Sequence, residues 1–423
     1  MNKFFEIDQK LAEISDKVMK KCESQFKKIG DTTRYNQQKV LKSFIKNGVS
    51  ESHFAPTTGY GYGDRGRETL DSVFADCMGA EAALIRHSFA SGTHTLSVML
   101  FGILRPGDEL VSLTGRPYDT LIGVLGIDGY SDGSLADFGI KYTGVELSED
   151  GTPNLKEIEK VVAEHRPKVA YIQRSKGYSL RPSLSSEKIA ELSAAVKKIS
   201  PETIVMLDNC YGEFVEKSGI NDMGVDIAAG SLIKNPGGGI APSGGYICGK
   251  SELVEKCSYR MTAAGVGAEI GASLGHTREL FMGLFNAPHA TGEALKTAVY
   301  AAALFEELGF GALPRYDEAR ADIIQTLLLK TPEALTAFCQ GMQSGAPIDS
   351  FVVPEPWDMP GYDDQVIMAA GAFTGGSSIE LSADAPLRPP FAVWMQGGLN
   401  FDSAQIGVLL AAQKMIDKGI IKL

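Results

Sequence analysis

The sequence predicts an α/β protein: a mainly parallel sheet covered by helices, preceded by an N-terminal helical arm and followed by a smaller α+β domain. Three observations carry this. From about residue 64, short apolar runs alternate with amphipathic helical stripes, the order that builds parallel strands joined by helical crossovers. The first fifty residues show helical periodicity alone, and beyond residue 286 the strand candidates follow a long helical stretch and precede a closing helix. The expected boundaries are 1–52 for the arm, 53–285 for the large α/β domain and 286–423 for the C-terminal domain.

Taken in order, Leu11, Ile14, Val18, Cys22 and Phe26 recur at spacings of three and four, with lysines and glutamates between them, which predicts a helix with one apolar face. A second short helix through Val40, Leu41, Phe44 and Ile45 is expected to stop at Asn47-Gly48. Leu70, Val73, Phe74 and Cys77 mark a helix ending at Gly79. Strands are expected at 82–85, 109–113, 169–173, 204–207 and 245–248, with helices near 93–104, 154–164, 185–199 and 250–263. A helix over 293–308 is expected to follow a loop around Pro288. Segments 349–353, 365–368 and 379–382 read as strands of the C-terminal domain, and 403–418 as its last helix.

Composition narrows the class. The chain has 423 residues, 44% of them hydrophobic and 22% charged, with a net charge of −11. That suits a large core in a soluble protein and argues against nucleic acid or an anionic membrane as the main partner. The six cysteines are scattered with no CxxC, so buried thiols in a reducing compartment are expected rather than a disulfide scaffold. Glu6, Asp8 and Lys10 stand where a signal peptide needs an apolar run, and the longest uncharged stretch, 88–104, carries Ser, Thr, His and Gly. A cytoplasmic location is expected. The 47 glycines exceed the average share of roughly 7%, which makes their positions informative.

Three segments carry chemistry. In 230–239 (GSLIKNPGGG), Lys234 follows a serine by three residues and precedes a glycine run. Such a lysine suits a Schiff base to a carbonyl cofactor, because small neighbours let the cofactor approach the backbone; a solvated loop lysine is the alternative. The apolar run 204–207 ends in Asp208. Ligands of open α/β sheets bind beyond the carboxyl ends of strands, and a carboxylate there can keep a pyridinium nitrogen protonated; a helix cap or turn explains the same letter. Between a strand and a helix, Ser91-Gly92-Thr93 offers backbone N–H groups and two hydroxyls to an anion, although a plain N-cap is equally consistent. Neither GxGxxG nor GK[ST] is present.

With Tyr118 as a ring-stacking candidate, these residues resemble the fold type I pyridoxal-5′-phosphate (PLP) enzymes. More narrowly, segments 60–67 (YGYGDRGR), 88–95, 208–214 (DNCYGEF), 231–239 and 380–390 (ELSADAPLRPP) resemble the methionine gamma-lyase-like family, also labelled aluminium-resistance proteins and related to the cystathionine beta/gamma-lyases. The resemblance implies roles. Lys234 holds PLP and shuttles protons, Asp208 pairs with the pyridinium, and Tyr118 stacks on the ring. Ser91, Gly92, Thr93 and Ser231 hold the phosphate. A tyrosine and an arginine are expected from a neighbouring subunit, with Tyr62 and Arg65 the nearest candidates and Tyr60 or Arg67 as substitutes. Arg388, on a loop stiffened by Pro386, Pro389 and Pro390, is the choice for the substrate carboxylate, since guanidinium binds carboxylate through two parallel hydrogen bonds; a surface arginine with a solvated partner is the other reading. His87 and His94 read as structural. No metal is expected.

The implied activity is PLP-dependent carbon–sulfur lysis of an amino acid, in a homodimer or homotetramer with shared active sites. Two features depart from the better-known lyases: no threonine precedes Lys234, and Asp208 is followed by Asn-Cys-Tyr. Another PLP reaction (aminotransferase or aldolase-like), a PLP-binding stress protein with little turnover, and a phosphate-binding α/β protein without PLP are the rival readings.

Overall fold

The two N-terminal stripes fold as one helix, α1 (Gln9–Lys46), 38 residues long, and Gly48 (φ 57°) turns the chain after it. The polar stretch between the stripes does not break it. Gly30 inside a helix costs only about 1 kcal/mol relative to alanine, and both halves are anchored: Leu11, Val18 and Cys22 are wholly buried, as are Asn36 and Val40. This computed structural model describes residues 4–129, 132–359 and 364–423. Two compact units divide the chain, Asn36–Asn286 and Met1–Tyr35 with Ala287–Leu423. The N-terminal segment expected as an arm of its own therefore contributes to both.

The unit Asn36–Asn286 follows the predicted alternation: α2 (Arg65–Met78), β1 (Ala82–Arg86), α3 (Gly92–Ile103), β2 (Glu109–Ser112), α4 (Asp119–Leu125), β3 (Lys141–Gly144), α5 (Leu155–His165), β4 (Val169–Gln173), α6 (Ser186–Ile199), β5 (Ile204–Asp208), β6 (Ile227–Ser231), β7 (Gly245–Gly249) and α7 (Ser251–Met261). Helix starts obey capping chemistry. Asp64, Ser91, Asn154 and Ser185 each accept the backbone N–H three residues on, satisfying a donor the helix cannot. Gly79, left-handed at φ 65°, ends α2.

The sheet order is β1-β7-β6-β5-β4-β2-β3. Strands β2 to β6 pair in parallel, and β7 runs antiparallel to both its neighbours. Strands β4, β5, β6 and β7 are buried along their whole length, as expected when helices cover both faces. Two strands of this sheet escaped the sequence reading, as did the strands Gly311–Leu313, Gln325–Leu328 and Ala392–Gln396 of the other unit. Edge strand β3 is largely exposed, and β6 (IAAGS) is too rich in small residues to stand out as an apolar run. Gln173 stands opposite Asp208, and Asp208 opposite Ala229, so the carboxyl ends of β4, β5 and β6 open on one edge.

Helix α8 (Thr277–Glu307) includes Pro288 rather than beginning after it. Proline removes the N–H that would bond the carbonyl four residues back, yet Leu284, Ala287, Ala290 and Thr291 around it are buried, and that burial carries the helix through. The other unit has an antiparallel five-stranded sheet in the order β10-β11-β12-β9-β8. Its elements are β8 (Gly311–Leu313), β9 (Gln325–Leu328), α9 (Pro332–Ser344), β10 (Val366–Ala369), β11 (Ser382–Pro386), β12 (Ala392–Gln396) and α10 (Phe401–Asp417). Segment 349–353 is a turn, not a strand: Asp349 is left-handed (φ 52°) with its carbonyl held by Gln343 Nε2 at 2.9 Å, and Phe351 is 83% exposed. Of segment 379–382 only Ser382 is strand, as the first residue of β11, because Ile379 and Glu380 are bent to accept Gly398 N at 2.9 Å and the N–H groups of Phe373 and Thr374.

Candidate active site

Lys234 leaves the sheet edge immediately after β6. A turn bond runs from Lys234 N to Ser231 O (3.4 Å), and a 3-10 turn, Asn235–Gly237, follows with Pro236 in its first positions. The Lys234 ammonium donates to the Tyr211 hydroxyl and lies 3.6 Å from the centroid of that ring. Asn235, wholly buried, ties the two loops together: its Nδ2 donates to the carbonyls of Tyr211 (3.0 Å) and Glu213 (2.9 Å).

Asp208 ends β5 and is nearly inaccessible. Burial raises its pKa above the usual carboxylate value, against which the backbone N–H of Cys210 (3.1 Å), the Cys210 thiol, the nearby Lys234 charge and the Tyr171 hydroxyl (3.5 Å) all pull it down. Asp208 caps no helix; it accepts from Cys210 in its own turn.

The Ser91-Gly92-Thr93 turn faces these strands. Ser91 Oγ accepts His94 N at 3.0 Å, so its hydroxyl is an N-cap, and the first turn of the twelve-residue α3 carries N–H groups that its helix does not satisfy. Gly92 lies close against both loops: a Cβ there would sit 3.3 Å from Ser231 Cβ, a tight contact, and 3.8 Å from Cys210 Sγ. The phosphate candidates, Ser231 and the Asp208 loop are therefore one cluster. Thr93 Oγ1 meets Thr120 Oγ1 at 2.7 Å, and Tyr118, two residues before Thr120, is placed by its backbone N–H donating to Gln173 Oε1 at 2.7 Å. Tyr118 packs edge-on against Tyr178.

The other sequence-predicted residues make contacts of their own. Tyr60 and Tyr62 are 70% and 69% exposed, their rings 5.6 Å apart, and Arg65 is exposed with His53 nearby. Arg67 is different: it is buried, and its Nη1 donates to the carbonyls of Gly61 (2.9 Å) and Gly271 (2.7 Å) of its own chain. Those two bonds hold the Arg67 guanidinium against its own chain. Arg388 belongs to the other unit and pairs with Asp364 at 2.8 Å, both about two-fifths exposed. His94 Nδ1 accepts from Ala90 N; His87 stacks near His276 and is pushed below the ordinary histidine pKa by burial first and by His276 and Arg86 second. All six cysteines are unpaired. Among the described residues no group of side chains could hold a metal, and no helix is long and apolar enough to cross a membrane.

Sequence reasoning missed Thr120, Gln173 and Asn235. Gln173 carried a signal: like Asp208 it is a polar residue closing an apolar strand. The assembled groups fit a phosphorylated pyridine aldehyde. They supply an amine for the carbonyl, a buried carboxylate for the ring nitrogen, and helix N–H groups with the Ser231 hydroxyl for the phosphate. Ser231 Oγ is buried without any hydrogen-bond partner, which in a native fold calls for a ligand group or water.

This topology is that of the fold type I proteins. The fold is similar to that of the PLP-dependent protein YhfS of Escherichia coli, at a TM-score of 0.60 and 16% identity over 92% of this chain and 97% of that one. The chain belongs to the methionine gamma-lyase family, whose model matches residues 11–416. It is 48% identical to a carbon–sulfur lyase involved in aluminium resistance from Clostridium novyi NT, with a TM-score of 0.93 over 97% of this chain and 96% of that one. It is also 48% identical to the uncharacterized protein YnbB of Bacillus subtilis over 93% of this chain and 94% of that protein.

Proposed function

We propose that the protein is a PLP-dependent lyase that cleaves a carbon–sulfur bond of an amino acid such as methionine, cystathionine or cysteine. One observation carries the reading: Lys234, Asp208, Ser231 and the Gly92 turn converge on one sheet edge, with the Ser231 hydroxyl unpartnered there. Bound PLP would supply an electron sink that stabilises negative charge at the substrate Cα. Lys234 would hold the cofactor and move the proton at Cα. Asp208 would keep the ring nitrogen protonated, its own raised pKa brought back down by the positive charge beside it. Tyr118 would cover the ring, while Ser91, Gly92, Thr93 and Ser231 hold the phosphate and Arg388 orients the substrate carboxylate. Overall, amino acid and water would give a thiol, a keto acid and ammonia. Two or four copies in the cytoplasm, sharing sites through Tyr62 and Arg65, complete the proposal.

The test is thiol and keto-acid release from those amino acids without an added amino acceptor, on yellow protein. Lys234→Ala is expected to abolish the absorbance of cofactor joined covalently to the lysine and reduce turnover at least a thousandfold. Full turnover in that variant, or release that requires an amino acceptor, would overturn the lyase reading.

A further inference from the structure

Tyr211 has no role in the function just proposed, yet the fold spends strain and buried polar groups on it. Its backbone is left-handed at φ 71°, a conformation that bulky residues avoid at a cost of about 1–3 kcal/mol unless their surroundings over-determine it. The surroundings do. The Tyr211 carbonyl is held by Asn235, the residue next to Lys234, and Gly212 is pressed so close to Arg174 that a Cβ would lie 2.3 Å from Arg174 Cδ. Asn36 Nδ2, also buried, fixes the far end of the same loop through Phe214 O at 2.9 Å and Glu216 O at 3.0 Å. The outcome of all three restraints is that the ring and hydroxyl of Tyr211 meet the Lys234 amine.

We infer that Tyr211 is a positioning residue for Lys234: its hydroxyl and ring form a dock that holds the Lys234 side chain as an ammonium when it is not engaged by the cofactor. The inference rests on the reading of Lys234 as the cofactor lysine. A ring face and a hydroxyl acceptor both favour ammonium over amine. Asp208 and the Cys210 thiol also face Lys234, the carboxylate acting in the same direction. Tyr211 thus sets how readily Lys234 becomes the neutral nucleophile that recaptures the cofactor.

The experiment uses full-length apoprotein. Acetic anhydride labelling of Lys234 is followed against pH by mass spectrometry, in wild type, Tyr211→Phe, Tyr211→Leu and Asn235→Ala. Loss of the hydroxyl is expected to shift the labelling curve to lower pH, raising labelling at a fixed pH below the midpoint about threefold to tenfold. Tyr211→Leu should shift it further, and Asn235→Ala in the same direction. Superimposable curves for wild type and Tyr211→Phe, the nearly isosteric variant, would overturn the dock even if the leucine variant fails to fold. Borohydride treatment of wild type with added PLP tests the underlying reading separately: it should fix the cofactor on Lys234, and fixation on another lysine would defeat that reading whatever the labelling shows. Where fixation is on Lys234, its pH dependence should move with the labelling curve.

Discussion

Glu213 shows what a single side chain costs at this site. It is buried, accepts the Tyr246 hydroxyl at 2.7 Å on one oxygen, and has no hydrogen-bond partner for the other. Burial pushes its pKa from 4.5 up to about 7 against the pull of the Tyr246 bond. A carboxyl group whose pKa is raised on folding lends full stability below its unfolded value and loses it as pH rises through its folded value. The window is therefore pH 4.5 to 7, and the loss approaches about 3 kcal/mol. Glu213→Gln apoprotein is expected to lack this component, so that urea unfolding curves coincide with wild type near pH 4.5 and show the glutamine variant more stable at pH 8. Equal wild-type and variant stability at pH 8 would contradict a buried, raised carboxyl. At this scale the sequence exposed residues whose chemistry is local: Lys234 among glycines, Asp208 at a strand end. It could not expose Thr120, Asn235 or the Tyr211 contact, because those depend on strand register and on a left-handed backbone that no letter encodes.

Elements were legible where one pattern dominated. Strand β4 and helices α3, α5 and α6 fall within a residue of expectation, since apolar runs and capping residues agree there. The reading failed where tertiary burial overrode a local breaker, as at Pro288, or where small residues erased the pattern, as in β6. Helix α8 also supplies something the pattern concealed. Its Gly283 backs the loop after Lys234 so closely that a Cβ would stand 2.4 Å from Gly237 O, while Gly237 itself allows no Cβ beside Leu232 O. Gly283→Ala must push that loop, with an overpacking cost of about 1–3 kcal/mol. Bound cofactor would oppose the displacement only if Lys234 sits where it engages PLP. The variant is expected to keep its far-UV circular dichroism and to lose cofactor on dialysis roughly tenfold more readily than wild type. Unchanged retention would show that the helix does not position the lysine.

At the scale of the whole molecule, the parallel sheet and its single antiparallel strand place the chemistry at one edge, as the alternation of elements led one to expect, but no pattern in one chain reports what a second copy adds. Segment 60–67 is where that question is sharpest. Arg67 is consumed by the carbonyls of its own chain, whereas Tyr60 and Tyr62 expose two large rings side by side and Arg65 stays exposed. Aromatic surface left in water at a glycine-rich turn suits burial against another protein surface, and a second copy of this chain is the occupant that the shared-site proposal requires. Complementation tests it. Lys234→Ala and Arg65→Ala proteins, each inactive alone, are mixed, unfolded and refolded together. If Arg65 serves the neighbour's site, a mixed dimer has one site with both mutations and one with neither. Random pairing then restores roughly a quarter of wild-type activity. If Arg65 serves its own subunit, every site in every pairing carries one mutation, and the mixture stays as inactive as its parts. The same mixture made with Arg67→Ala in place of Arg65→Ala should not complement, because that arginine acts within its own chain.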